Sequence, residues 1–270
     1  FATTKLLEDK YKLNSRIKYL ASFIYAIMVL PIQLSHFFTV DTFLNFFTFA
    51  AFFFALYYWI TKKKSFLIGA GIFLGLGIAS KLPAIFILPL ILALVINLEK
   101  KNIKFSLLKS SPNLFILGIA SFITLKLSYP YIFASGFLFD PRLNPLFIEN
   151  INTLRLLSSN PSFPPAVQWI SKIPIIFPLQ NLVIFGVGIP IFILFLYGTS
   201  KALKERKFIF RAIIIWLAGF FIYQGTQEAT TMRYFLPLYP FIAILGGFGL
   251  YSLTKVINKR LNTNKKDTKT

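Results

Sequence analysis

The sequence predicts an all-α fold, a polytopic membrane bundle of about eight transmembrane helices that forms one transmembrane domain over residues 1–270. Of the 270 residues, 56% are hydrophobic and 14% are charged, whereas a soluble domain usually carries about 25% charged residues. The apolar residues occur in long runs without an amphipathic period. The basic residues lie between these runs. Together these observations predict an integral, multi-pass membrane protein.

The spans follow from length, because a helix that crosses the bilayer needs roughly 20 largely apolar residues. Eight segments qualify, with soft boundaries: 19–35, 42–60, 66–80, 83–98, 113–129, 180–199, 208–224 and 234–254. The third and fourth are short and are joined by Ser80-Lys81-Leu82-Pro83. This junction is read as a tight turn at the membrane surface. The alternative is one kinked span, although 66–98 is too long for an ordinary helix.

The basic residues predict the orientation. Most of the 29 Lys and Arg residues fall in five loops, 1–18, 61–65, 99–112, 200–211 and 255–270. The positive-inside rule assigns these loops, including the basic tail 255–270, to the cytoplasm. The formal charge of +20 is therefore attributed to topology and membrane lipid, and no nucleic-acid partner is expected. The expected location is the plasma (inner) membrane.

One loop on the opposite, extracytoplasmic side is long, at residues 130–179. Within it, apolar residues recur at near-helical spacing: Leu146, Phe147, Ile148, Ile151, Leu154 and Leu157. The pattern predicts a short amphipathic helix. Two interpretations stay open, a helix that lies on the outer membrane surface and a helix that packs on the bundle.

The chain contains no cysteine and a single histidine, His36. This excludes disulfides, thiolate nucleophiles and Cys-ligated metal sites, and a multi-histidine metal site within the chain. No cofactor or metal is predicted. A divalent cation is compatible with the sequence but has no support in it.

The first candidate site is Ser35-His36 to Asp41, in a very short outer turn between two spans. A carboxylate at this depth is costly unless it is paired or hydrated, so Asp41 is a functional candidate. The alternative is that Asp41 only caps the following helix. For His36, a structural hydrogen-bonding role is the competing interpretation.

Two further segments carry candidate residues. Gly71 and Gly75 permit close helix packing on the span that leads to Lys81, an outer cation whose alternative role is snorkelling. Near the last span lie Glu228, Arg233 and Tyr234, and Arg142 is another outer cation. Arg binds phosphate through two parallel hydrogen bonds, whereas Tyr234 is also placed as an interfacial aromatic residue. We expect Lys81 and Arg233 to share one outer cavity that also exposes Asp41.

These segments, in this order, resemble the C-type membrane-fold glycosyltransferases that use polyprenyl-phosphate-sugar donors, in particular the protein O-mannosyltransferase and aminoarabinose-transferase superfamily. The resemblance rests on Ser35-His36 to Asp41, on Ser80-Lys81-Leu82-Pro83 and on Arg233-Tyr234 to Pro240. The segment Gln180 to Pro190 is also similar, so that nearly the whole chain is covered.

The resemblance implies transfer of a hexosyl or pentosyl group from a polyprenyl-phosphate donor to a glycan, lipid or protein acceptor on the extracytoplasmic side. It implies catalytic roles for Asp41 and His36. The residues implied in binding substrate or phosphate are Lys81, Arg142, Glu228, Arg233 and Tyr234. In this family the catalytic acid lies in the first outer loop. Because the sequence opens at Phe1, near the end of what would be the second span, that loop and the N-terminal part are expected to be missing.

Two other functions stay open. A transporter or flippase of lipid-linked sugars shares the helix count and the outer cations, but such proteins often show internal repeats and ionisable residues near mid-membrane. No repeat is apparent here, and charge within the spans is scarce. A non-catalytic scaffold would not need the outer Asp and cations. An acidic pair in an upstream outer loop would favour the transferase.

Overall fold

The protein is almost entirely helical in the computed structural model, which describes residues 1–98, 103–159 and 164–267. The α-helices in chain order are α1 (Ala2–Tyr11), α2 (Arg16–Ile27), α3 (Val29–Ser35), α4 (Val40–Thr61), α5 (Lys64–Ser80), α6 (Leu88–Ile96), α7 (Ile103–Ser128), α8 (Pro145–Ser159), α9 (Pro164–Val167), α10 (Ile176–Asn181), α11 (Ile189–Lys204), α12 (Phe208–Gly225) and α13 (Tyr239–Asp267). Residues 99–102, 160–163 and 268–270, which belong to predicted loops and to the tail, lie outside the described residues. The predicted all-α class is confirmed.

The predicted spans all fall on helical segments of the described chain. Within the described residues, four helices are long and apolar enough to cross a membrane on their own: Val40–Thr61, Ser106–Ser128, Phe208–Gly225 and Met232–Leu261. Two bent pairs raise the number to six: Arg16–Ile27 with Val29–Ser35, and Ile176–Val187 with Ile189–Lys204. The other two predicted spans are the shorter apolar helices Lys64–Ser80 and Leu82–Ile96. The protein is a multi-pass helical membrane protein, and the count of eight spans stays a prediction.

The junction at Lys81 is a tight turn between two antiparallel segments. Lys81 is extended, with φ −163° and ψ 129°, and a 3₁₀ helix, Leu82–Ile87, leads into α6. The indole Nε1 of Trp59, at the end of α4, donates a hydrogen bond of 2.9 Å to Oδ1 of Asn97, just after α6. Since α5 begins directly after α4, α5 starts and α6 ends at the same end of the bundle. We call this the basic end, and the end that carries Lys81 the site end.

Glycines allow α5 to approach α7 closely. A Cβ atom on Gly71 would lie 2.7 Å from the carbonyl oxygen of Leu117, and one on Gly75 would lie 2.5 Å from that of Ser121. Real Cβ atoms do not come this close to backbone. The interpretation of these two glycines as packing residues is therefore confirmed.

Aromatic packing fixes the helices that carry the site. The ring of Phe241 on α13 lies 4.9 Å from Phe52 on α4 and 4.8 Å from Trp216 on α12, between ring centroids. The indole Nε1 of Trp216 also donates a 2.7 Å hydrogen bond to the carbonyl oxygen of Phe86 in the 3₁₀ helix. A buried indole N–H needs such a partner. This contact ties α12 to the segment that follows Lys81.

The segment before α11 is sharply broken. A π-helical turn, Leu182–Val187, extends α10, and the helix axis then turns by 108° at Gly188. Gly188 has φ 89° and ψ 140°, a conformation that is essentially restricted to glycine. The predicted sixth span is thus a bent pair of helices.

Three predicted loops contain more helix than expected. The first, 1–18, contains α1, whose residues Leu7 and Glu8 are buried. The described part of 99–112 belongs to α7, which starts at Ile103. The tail 255–270 is helical to Asp267, as a continuation of α13. Lys and Arg are good helix formers, so α7 and α13 extend into basic flanks, whereas α1 is a separate helix within one.

The long loop 130–179 begins with a hairpin-like turn and continues into α8. An isolated antiparallel bridge joins Phe133 and Leu143. The predicted short helix is present as α8, and many of its apolar side chains are exposed, among them Leu146 and Leu154, both at 60%. This exposure favours a helix on the membrane surface over one packed on the bundle.

Candidate functional site

The site is centred on Asp41, the second residue of α4. The helix is capped by Thr39 without a side-chain capping bond, so capping does not account for Asp41. A carboxylate in the first turn is favoured by the helix dipole. Its exposure is only 1%, and a buried charge needs a partner.

Lys81 supplies that partner. Its Nζ lies 2.6 Å from Oδ1 of Asp41, and its side chain is 23% exposed. The same Nζ lies 3.9 Å from the ring centroid of Tyr234, a cation–π contact. Snorkelling alone therefore does not describe Lys81, because its ammonium group faces a carboxylate and an aromatic ring.

Arg233 reaches the same carboxylate more loosely. Its Nε lies 3.8 Å from Oδ2 of Asp41, and its side chain is 48% exposed. It belongs to the 3₁₀ helix Met232–Leu238, and its guanidinium carbon lies 5.4 Å from the Tyr234 ring centroid. At 3.8 Å the contact is an ion pair and not a hydrogen bond. The guanidinium therefore has N–H donors available for a ligand.

The two cations line neighbouring cavities. Lys81 lines a cavity of about 640 Å³, and Arg233 lines one of about 290 Å³. Both cavities are lined by Ser158, Ala229 and Tyr234. Asp41 lines neither cavity. The expectation of one cavity that also exposes Asp41 is therefore wrong, because the two cations cover the carboxylate.

His36 is exposed at the end of α3, and its Nδ1 lies 2.8 Å from the carbonyl oxygen of Ile32. Within the described part of the chain, no hydrogen bond or ion pair joins it to Asp41, Lys81 or Arg233. The geometry favours the structural hydrogen-bonding role over the catalytic one.

Arg142 is paired elsewhere. Its guanidinium makes two parallel hydrogen bonds to Asp140, with Nε–Oδ1 2.9 Å and Nη2–Oδ2 2.7 Å, although its side chain is 77% exposed. This contact, the Ser135 hydroxyl and the Arg142 backbone N–H hold the pKa of the Asp140 carboxyl well below its usual range. The ammonium group of Lys126 donates to the Asp140 carbonyl oxygen at 2.5 Å. The Asp140–Arg142 pair therefore holds the 133–143 turn together and is not part of the Asp41 cluster.

Glu228 is exposed and lines the Lys81 cavity. The same cavity is lined by Pro83, from the Ser80-Lys81-Leu82-Pro83 segment, and by residues that the sequence did not identify as site residues: Leu44, Arg155, Ser158, Tyr223, Gln224, Thr226, Gln227 and Ala229. The polar residues among them carried no signal, because Gln, Ser and Thr near the end of an apolar segment are common. In the described ranges no group of three metal-ligating side chains comes together, and the prediction of a metal-independent site stays a prediction.

The comparison with protein families bears on the first part of the chain. Residues 9–126 match the model of the dolichyl-phosphate-mannose-protein mannosyltransferase family. Over this stretch the chain is similar to a mannosyltransferase family. The match covers less than half of the chain, but it includes Asp41 and Lys81, and it confirms the resemblance to C-type membrane-fold glycosyltransferases. No curated protein and no solved structure matches the chain.

Proposed function

We propose that this protein is a membrane glycosyltransferase that moves a sugar from a polyprenyl-phosphate donor to a glycan, lipid or protein acceptor on the extracytoplasmic side. The observation that carries the proposal is the convergence of Lys81 and Arg233 on buried Asp41. These cations are far apart in sequence and meet at one end of an apolar bundle. The mannosyltransferase family match spans two of the three residues.

The cluster suits a phosphate leaving group. In the transfer, the bond from the anomeric carbon to the phosphate oxygen breaks, and the electron pair stays on that oxygen. The acceptor oxygen bonds to the anomeric carbon and loses its proton to a general base. Cations that are already in place stabilise the charge that develops on the phosphate. Asp41 orients Lys81, while the looser Arg233 is available to bind the phosphate oxygens through two hydrogen bonds.

An apolar groove supports a lipid-linked donor. A cavity of about 680 Å³ runs between α6 and α12 and is lined largely by apolar residues, including Leu90, Ile215 and Phe220. Tyr223 lines both this groove and the Lys81 cavity. An isoprenoid chain in the groove would therefore bring its phosphate towards Lys81.

Binding of a polyprenyl phosphate to the purified protein tests the proposal. We expect Arg233→Lys to weaken binding about tenfold or more, because a charge-assisted hydrogen bond is worth roughly 1.5–3 kcal/mol and Lys cannot reproduce the planar fork. The matched control is Arg142→Lys, a cation of the same loop-rich end that is paired with Asp140. Equal effects of the two substitutions, or no binding to the unaltered protein, would refute the proposal.

A transporter of lipid-linked sugars is the second candidate, because the break at Gly188 resembles the discontinuous helices of transporters. In reconstituted vesicles the transferase should release free polyprenyl phosphate when an acceptor is present. Movement of the intact lipid-linked sugar across the vesicle membrane would favour the transporter.

A further inference from the structure

The Lys81 cavity has a second wall whose chemistry differs from that of the cations. It is formed by the end of α12 and the residues that follow. The side chains of Thr226 and Gln227 donate hydrogen bonds of 2.8 Å and 3.0 Å to the carbonyl oxygen of Tyr223. The Ile175 backbone N–H donates to the Gly225 carbonyl oxygen at 3.0 Å. The wall is thus held in place by hydrogen bonds at both of its edges.

Glu228 is the acidic side chain that this wall presents to the cavity. Its carboxylate makes no hydrogen bond or ion pair with the residues that the structure describes. Asp41 and Asp140, in contrast, are each held by a nearby cation. Glu228 therefore has its acceptor oxygens available to a ligand.

A carboxylate in this position selects among ligand groups. It repels a phosphate, so that Glu228 does not suit the phosphate end of a donor. Sugar hydroxyl groups donate hydrogen bonds, and bonds to an ionised acceptor are roughly twice as strong as neutral ones. Gln224, which is buried, lines the cavity beside it, and Tyr223 and Tyr234 add aromatic surface. Such a lining matches the hydroxyl groups and the apolar face of a sugar.

We propose that Glu228, with Gln224 beside it, recognises the sugar of the donor and restricts it to sugars that bear hydroxyl groups and no negative charge. This inference rests on the proposed function. Lys81 then holds the phosphate at one wall of its cavity, with Arg233 in the neighbouring cavity, and Glu228 holds the sugar at the other wall of the Lys81 cavity. Acidic sugars are rejected because their negative charge would face that of Glu228.

Three lipids test the assignment: a polyprenyl phosphate, the same lipid with mannose, and the same lipid with glucuronic acid. Glu228→Gln keeps the size of the side chain and removes its charge. We expect about tenfold weaker binding of the mannose lipid, stronger binding of the glucuronic acid lipid and no weaker binding of the bare phosphate lipid. Glu149→Gln, on α8 and outside the lining of this cavity, should change none of the three.

The outcomes separate the two proposals. If the bare polyprenyl phosphate does not bind the unaltered protein, the proposed function fails. If it binds, but Glu228→Gln changes the affinity for all three lipids equally or for none of them, the assignment of Glu228 to the sugar fails. The assignment of the phosphate site is then unaffected.

Discussion

The carboxylate of Asp41 determines where the two cations of the site are held. Its 1% exposure makes an unpaired charge costly, and Lys81 at 2.6 Å offsets that cost. Removal of one partner of a buried pair leaves the other charge uncompensated, whereas removal of both is much less harmful. The Asp41–Lys81 pair therefore holds these two side chains in place and also supplies charge to the site.

Lys81→Met should destabilise the protein by about 3 kcal/mol, because Asp41 keeps only the 3.8 Å contact with Arg233. The double variant Asp41→Asn with Lys81→Met should recover most of that loss, since no buried charge is left. Thermal unfolding in detergent measures both. If the double variant is as unstable as the single one, the loss has another cause than the unpaired carboxylate.

The Asp140–Arg142 pair gives the 133–143 turn a defined pH dependence. Because the pKa of Asp140 is lowered in the folded protein, its ionised form stabilises the turn above the usual carboxyl pKa. That contribution is lost only as the pH falls through the lowered pKa. Amide exchange protection at Ala134 and Asn144 should therefore be similar at neutral pH and at about pH 4.

The variant Arg142→Gln removes the main cause of this shift, and the Asp140 pKa should return towards its usual value. Protection at Ala134 and Asn144 should then fall at neutral pH as well as at about pH 4, because the ion pair that stabilises the turn is lost at both. Glu149→Gln serves as the control, as an exposed acid on α8. Unchanged protection in Arg142→Gln at low pH would show that the hairpin does not depend on the ion pair.

At the scale of the elements, two glycines separate the effect of backbone conformation from that of space. Gly188 and Gly118 both have open space where a Cβ would stand, but only Gly188 has a positive φ. Gly188→Ala should destabilise the protein by about 1–3 kcal/mol. Gly118→Ala, within α7, should be neutral or stabilising by up to about 1 kcal/mol. Thermal unfolding of the two variants measures the difference. Equal stability of Gly188→Ala and Gly118→Ala would argue against backbone strain at the 108° break.

The close contact between α5 and α7 requires glycine because there is no room for a side chain, and not because of an unusual backbone conformation. Gly75→Val would drive a side chain into the Ser121 carbonyl oxygen and Thr124. Overpacking of this kind costs about 1–3 kcal/mol, and here it also displaces the helix that leads to Lys81. We therefore expect lower thermal stability together with weaker polyprenyl phosphate binding. Normal binding in a destabilised Gly75→Val protein would mean that α5 does not position Lys81.

At the scale of the whole molecule, the uneven distribution of basic residues predicts which side of the membrane each end of the bundle faces. The chain has no cysteine, so labelling of one introduced cysteine has no background from other thiols of this chain. In intact cells an impermeant thiol reagent should label Asn152→Cys, on α8, and should not label Ser65→Cys, at the basic end. The reverse labelling pattern would invert the topology and place the proposed site in the cytoplasm.

The sequence by itself determined the membrane class and the helical segments, because long apolar runs can satisfy their backbone groups in lipid only as helices. It also determined that Asp41, Lys81 and Arg233 were candidates, since ionisable groups near a membrane are costly and scarce. It did not predict the helices in the basic flanks. Hydropathy marks only where an apolar segment ends. A helix can extend beyond that point when the residues that follow have a high helix propensity.

Tertiary structure alone decided which of those candidates meet. Asp41, Lys81 and Arg233 lie on three different elements, and only the packing of α4, α5 and the 3₁₀ helix before α13 brings them together. His36 and Arg142 were site candidates as well, yet His36 turns back to Ile32 and Arg142 pairs with Asp140. The lining of the Lys81 cavity, including Gln224 and Ser158, also arises from distant segments. Sequence patterns report local period and charge, whereas the site depends on distances between elements, which only the packing of the helices sets.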